Sequence, residues 1–183
     1  KANKGLVSAL NQKGGKAIGL CGIDGGLLSA KTISPSYGRT GEVVKVDVTM
    51  VNSFLNQGYI PVIATVAQGA DGLANVYSVS ANVAAAKLAV ALGAEKLIQL
   101  TDKESMLQNP DAPSAPMPEL HLSKVPALIR SGAISQIMVH KVNCSVEAVR
   151  SGVKSATFLD GTVPHAILLE LLSDEGIGTM LTH

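Results

Sequence analysis

The stretch from Ser80 to Leu100 limits most strongly what this chain can fold into. Ser80 is placed to cap an Ala-rich helix over Ala81 to Leu92, Gly93 stops it, and Lys96 to Leu100 follows as a short core strand. The same exchange of helix for strand recurs along the chain. Strands alternating with helices require a largely parallel sheet covered on both faces, with ligands at the carboxyl ends of the strands. The expected fold class is α/β.

The remaining elements follow from periodicity and turn residues. Ala2, Leu6, Val7 and Leu10 predict an opening helix, with Gly14-Gly15 where a left-handed cap belongs. Ala17 to Cys21 and Leu27 to Ile33 flank Gly22-Ile23-Asp24-Gly25-Gly26 and together predict a hairpin. Glu42 to Val46 predicts a strand, and Asp47 or Thr49 caps the helix after it, which stops at Gly58. Ile60 to Val66, with Pro61 at its start, reads as one buried strand, and Gln68 to Asn75 as a turn. The four prolines near 109–118 predict a surface loop. Ser123 is expected to cap a short helix ending at Gly132, and Gln136 to Arg150 forms another helix stopped by Gly152. Ser155 to Leu159 then predicts a strand, His165 to Leu172 a helix with its Leu-rich face on the sheet, and Met180 to Thr182 a last strand.

Composition narrows the function classes. With 183 residues, 46% hydrophobic and 16% charged, the chain is globular and of a size for one domain over 1–183. A net charge of +1 without a basic block excludes nucleic acid as the main partner. The longest apolar run, Val83 to Leu92, falls short of the roughly 20 residues of a membrane span. Cys21 and Cys144 match no metal-ligand spacing and read as two free thiols. The start at Lys1, without Met, reads as a processed or truncated product.

Few motifs carry chemistry. Lys13-Gly14-Gly15-Lys16 lacks phosphate-loop spacing and follows a helix, so it reads as a helix cap. Thr101-Asp102 follows a core strand, where the Asp either meets a ribose, adenine or metal or forms a turn. Lys141, beside His140 in a helix, either reaches a phosphoryl group or is a solvated helix lysine. His165 follows Pro164 without a carboxylate nearby in sequence. No Ser-His-Asp order, no paired carboxylates at a convincing spacing and no metal cluster stand out.

Several segments resemble the acetylglutamate kinases of the amino acid kinase family. They are Asn3-Lys4 with Leu6-Val7-Ser8, Gly19 to Gly25, Gly41 to Asp47, Gly58 to Ala64, and Leu92 to Ile98 with Leu100-Thr101-Asp102. The tail, with Asp160-Gly161, Pro164-His165-Ala166, Leu168-Leu169-Glu170 and Ser173 to Met180, is similar to the plant and cyanobacterial members. The resemblance implies an open three-layer αβα sandwich that lacks the amino-terminal part. That part holds the family's Lys-Gly-Gly segment and its glycine-rich substrate loop. Thr101, Asp102 and Lys141 stand at retained nucleotide-binding positions.

The resemblance also implies departures. The family's N-x-N-A-D motif falls on Ser78-Val79-Ser80-Ala81-Asn82, so Ser78 and Ser80 occupy substrate positions and Asn82 stands for the catalytic Asp. The glycine-rich stretch before the second lysine reads Ser135 to Lys141, and Ser105 stands for a glycine. A neutral amide cannot supply the charge that orients phosphate-binding lysines. The resemblance therefore implies first a catalytically silent structural or regulatory subunit in a plastid, held in a larger assembly or homo-oligomer, with no cofactor. Its alternatives are an active acetylglutamate kinase using ATP and Mg, in a plastid or the cytoplasm, and a non-catalytic sensor of ATP or arginine.

Overall fold

Residues 1–70, 72, 74–102, 108–109, 112–173 and 176–183 are described by the computed structural model, and they divide into two units, Lys1–Leu92 and Gly93–His183. Of the residues singled out in the sequence, Ser105, Asp174 and Glu175 lie outside the described set.

The first unit runs α1 (Ala2–Gln12), β1 (Ala17–Cys21), β2 (Leu28–Thr32), β3 (Thr40–Val46), α2 (Thr49–Asn56), β4 (Ile60–Ala64), β5 (Val66–Gly69), β6 (Val76–Val79) and α3 (Ala81–Leu92). Gly14 takes a φ of 85°, and the N–H groups of Gly14 and Gly15 donate to the carbonyls of Asn11 and Leu10. Those two hydrogen bonds form the left-handed cap of α1, the role expected of the Lys13 to Lys16 cluster. The Asn3 side chain then fastens the helix to the strands beneath, donating to the carbonyls of Leu20 at 3.2 Å and Val62 at 2.7 Å.

The expected hairpin of the first two strands does not form. β1 pairs in parallel with β4, Ala17 opposite Ile60 and Cys21 opposite Ala64, whereas β2 joins a closed barrel in the order β2-β3-β6-β5. The reason lies at Gly22, whose N–H donates to the Ala64 carbonyl while its own carbonyl accepts from Leu28 N–H at 2.6 Å. A Cβ there would stand 2.7 Å from the Leu28 Cβ and closer still to the Val66 carbonyl oxygen. Only glycine lets the chain leave one sheet and enter the other so abruptly. The expected strand over Ile60 to Val66 is likewise two, because the Thr65 carbonyl accepts from Val79 N–H as the chain crosses into the barrel. Leu27, Leu28, Val43, Ala67, Tyr77 and Val79 fill the barrel, closed by Val51 of α2 and Ala84 and Leu88 of α3.

Val48, and neither Asp47 nor Thr49, holds the cap position of α2; Asp47 stands one residue ahead of it, its carboxylate accepting from Thr49 N–H at 3.1 Å. The Thr49 hydroxyl and then its backbone N–H hold the Asp47 carboxyl below its ordinary value of 3.8. A depressed folded-state value adds stability above the unfolded value, and this is lost as pH falls through the folded one. Asp47→Asn is accordingly expected to lower the urea midpoint at neutral pH. The gap to the parent should close below the ordinary carboxylate range, in unfolding curves taken across pH.

The second unit runs β7 (Lys96–Thr101), β8 (Gln108–Asn109), β9 (Ala112–Pro116), β10 (Glu119–His121), a 3₁₀ turn at Leu122–Lys124, α4 (Val125–Arg130), α5 (Gln136–Arg150), β11 (Ser155–Asp160), α6 (Ala166–Leu172) and β12 (Thr179–Thr182). Its main sheet has the order β10-β12-β11-β7, with β7 and β11 parallel and β12 antiparallel to β11. The buried face of α5, Met138, Val142, Ser145 and Val149, recurs at helical spacing, and the helix packs on β11 and β12.

Three expectations change here. The proline stretch carries a short antiparallel ladder between β8 and β9 where a loop was expected. Ser123 does not cap a helix; its hydroxyl pairs with His121 Nδ1 at 3.4 Å, and Lys124 holds the cap position of α4. On α6 only Ala166 is buried, while Leu168 is 55% and Leu172 81% exposed, so its leucine face does not pack on the sheet. A seven-residue helix meets β11 with little of its surface.

The α/β class, with parallel strand pairs and helices on their faces, is as the sequence implies. Both thiols are free. Among the described residues no helix is long and apolar enough to cross a membrane.

Candidate nucleotide site

Two parallel strands deliver the polar residues of the second unit to one edge. β7 ends at Thr101 and β11 at Asp160, which face each other in register, and Gly161 N–H donates to the Thr101 carbonyl at 2.8 Å. Asp102 follows Thr101 directly and is exposed. The Asp160 carboxylate accepts from Thr162 N–H at 2.8 Å and from its hydroxyl at 2.6 Å, a turn that holds the carboxylate at the strand end. In the sequence Asp160 stands out only as part of the tail that resembles the plant and cyanobacterial kinases. Its neighbour across the sheet is 59 positions away, so only the parallel register reveals the two strand ends as adjacent.

The first turn of α5 closes on the same edge. The Thr101 hydroxyl lies 4.0 Å from Met138 Sδ, and Lys141 sits half-buried one turn further along. Thr101 thus meets the helix that also carries Lys141, three residues beyond Met138. Ile137 is 81% exposed in this first turn. A cavity of about 240 Å³ opens beside the strand ends, lined by Leu100, Gly161, Val163, His165, Ala166 and Ile167 among others. His165 takes a φ of 61°, the one non-glycine residue in the left-handed region among those described.

The other sequence-selected positions lie in the first unit. Ser78 is exposed on β6, opposite Val66, and its N–H donates to the Arg39 carbonyl at 2.9 Å. The Ser80 carbonyl accepts from Ala84 N–H and begins α3 as expected. Asn82, half-buried, is the second residue of that helix. Alternation along the extended chain puts Ser78 and Ser80 on one side.

Oxygen donors at two strand ends suit a hard cation. Among the described residues no group of three or more His, Cys, Asp or Glu could hold a metal by itself. Cys144 lies 3.9 Å from His140 Nε2, and burial, with Glu147 nearby, pushes its thiol up from its ordinary value.

An α/β chain with polar groups at parallel strand ends is a class of many functions, and comparison with known proteins narrows it. Residues 1–160 match the model of the amino acid kinase family, and the chain belongs to that family. It is 48% identical over 183 residues to the acetylglutamate kinase of Clostridium beijerinckii, covering 99% of this chain and 64% of that protein. It is 43% identical over 182 residues to that of Prochlorococcus marinus strain NATL1A, covering 99% of this chain and 59% of that protein. The chain thus spans about three-fifths of the length of these curated relatives. Among solved structures, N-acetylglutamate synthase from Neisseria gonorrhoeae, complexed with coenzyme A and N-acetyl-glutamate, shares the fold. Its TM-score is 0.81 at 24% identity, covering 96% of this chain and 40% of that one.

Proposed function

We propose that this chain forms the nucleotide side of an acetylglutamate kinase, which transfers a phosphoryl group from ATP, with Mg, to N-acetyl-L-glutamate. The observation that carries the reading is 48% identity to such an enzyme along 99% of the chain. It is supported by Thr101 and Asp102 at the end of β7, where Thr101 lies beside Met138 of α5, the helix that carries Lys141. In this reading Lys141 neutralises phosphate charge, while Asp102 and Asp160 offer oxygen donors to the cation or the nucleotide. The exposed leucines of α6 favour an oligomer or a protein partner. Cyanobacterial relatives favour a plastid stroma or a cytoplasm as its compartment.

A second reading keeps the fold without turnover, as a silent subunit or a sensor. Asn82 favours it, since the helix-start position that the family resemblance assigns to a carboxylate carries a neutral amide.

Calorimetry with ATP and Mg tests the site itself. Saturable binding is expected, weakened at least about tenfold in both variants, because Lys141→Ala removes a charge that neutralises phosphate and Asp102→Ala an oxygen donor to the cation or the nucleotide. No binding at millimolar nucleotide by a folded chain would remove the kinase reading and the ATP sensor together.

A further inference from the structure

Away from the strand ends, helices α4 and α5 face each other across a groove. Val125, Pro126 and Ile129 line it from α4, and Asn143, Val146 and Arg150 from α5. Its volume is about 290 Å³, just under the roughly 300–1,000 Å³ usual for small-ligand sites. α4 has 6 residues and α5 has 15, and the groove follows the carboxyl-terminal half of α5, from Asn143 to Arg150. The floor is aliphatic, with Val125 and Val146 buried, whereas Asn143 and Arg150 stand exposed at the rim.

The spacing of the polar groups gives the groove a direction. Positions 143, 146 and 150 share one helix face. Seven residues at 1.5 Å each set the amide and the guanidinium about 10 Å apart along the axis. Arg150 therefore stands at one end of an apolar trough. The two ion pairs among the described residues, Lys31–Glu42 and Lys154–Glu95, leave it out. At about 100° per residue, Lys141 lies on the opposite side of α5, so this groove is separate from the proposed nucleotide site.

A ligand that satisfies both parts needs an aliphatic body and an anionic head matched to a planar fork of donors. A carboxylate accepts two parallel hydrogen bonds from a guanidinium, whereas an alcohol has no charge to offer and inorganic phosphate has no body to bury. We propose that this groove binds a medium-chain aliphatic carboxylate, its head on Arg150 and its chain over Val125, Val146 and Ile129.

The test is a titration of the whole chain with octanoate and, in parallel, octanol, followed by amide chemical shifts. Octanoate is expected to give saturable shifts centred on Val125, Asn143 and Val146. Octanol should bind at least about tenfold more weakly, and Arg150→Gln should weaken octanoate by a similar factor without moving octanol. Ile129→Trp, which fills the groove from its half-buried rim, should abolish both. The proposal is overturned by an absence of saturable shifts at these residues. Equal binding of acid and alcohol that ignores Arg150→Gln would overturn it equally, since it would leave only a greasy surface. Because Arg150 and Ile129 lie outside the nucleotide region, ATP binding in these variants should stay at the parent's level.

Discussion

Phe158→Ala is expected to lower the unfolding free energy by about 3 kcal/mol, the lower end of the ~3–5 kcal/mol usual for such truncations. Phe158 is fully buried on β11, in register with Gln99 of β7 on one side and Thr179 of β12 on the other. It is therefore a central side chain of the β10-β12-β11-β7 sheet. The low end is expected because of what surrounds it. Gln99 donates to the Ser145 hydroxyl at 2.9 Å, but its own carbonyl oxygen and the Thr179 hydroxyl are buried without a protein partner. A cavity bordered by such groups can admit water, which an all-aliphatic cavity does not. Urea unfolding followed by far-ultraviolet circular dichroism measures the loss. Tyrosine fluorescence adds a second reading, since Tyr37, Tyr59 and Tyr77 all belong to the first unit. Coincident shifts in both signals make 1–183 one cooperative domain, as its length implies. A shift in dichroism alone makes Lys1–Leu92 a separate folding unit.

What the sequence could convey followed the range of the interactions involved. α1, α3 and α5 were legible because their causes are local: apolar residues at helical spacing and a glycine just past the end. Gly14, Gly93 and Gly152 all take positive φ where a stop was expected. The partner of β1 was not legible. Turn residues between Cys21 and Leu28 signal a reversal equally well whether the two strands pair with each other or with strands elsewhere. That decision rests on the Gly22 N–H meeting Ala64, forty-two positions away. The leucines of α6 failed for a related reason. Helical periodicity reports that a face is apolar, not that the domain itself supplies its cover. The place of Thr101 and Asp102 at the end of a core strand was legible from the apolar run before them. Asp160 was not, since its adjacency is a matter of parallel register alone.

On the proposed kinase reading, Asn82→Asp is expected to raise the rate of ATP-dependent phosphorylation of N-acetyl-L-glutamate by about 10²–10³-fold, the scale on which single electrostatic contacts act in such sites. Asn82 is half-buried at the second position of α3, and the aspartate is nearly isosteric, so the backbone need not move. The helix start favours the added charge, by about 0.3–1 kcal/mol, so folding does not oppose the change. The gain should appear in kcat with little change in KM, because a charge that orients phosphate-binding lysines acts on the transition state more than on ground-state binding. The readings then separate. A slow but measurable parent that gains in this way is a kinase impaired at one contact. A parent without turnover, unmoved by Asn82→Asp yet able to bind nucleotide, is a sensor or scaffold. In that case the double variant with Ile137→Gly decides whether the exposed side chain in the first turn of α5 is the second barrier. Turnover that appears only in the double variant would mean that the α3 start and the α5 start have both departed from a working kinase. Its absence even there would leave nucleotide binding as all that the strand ends of the second unit do.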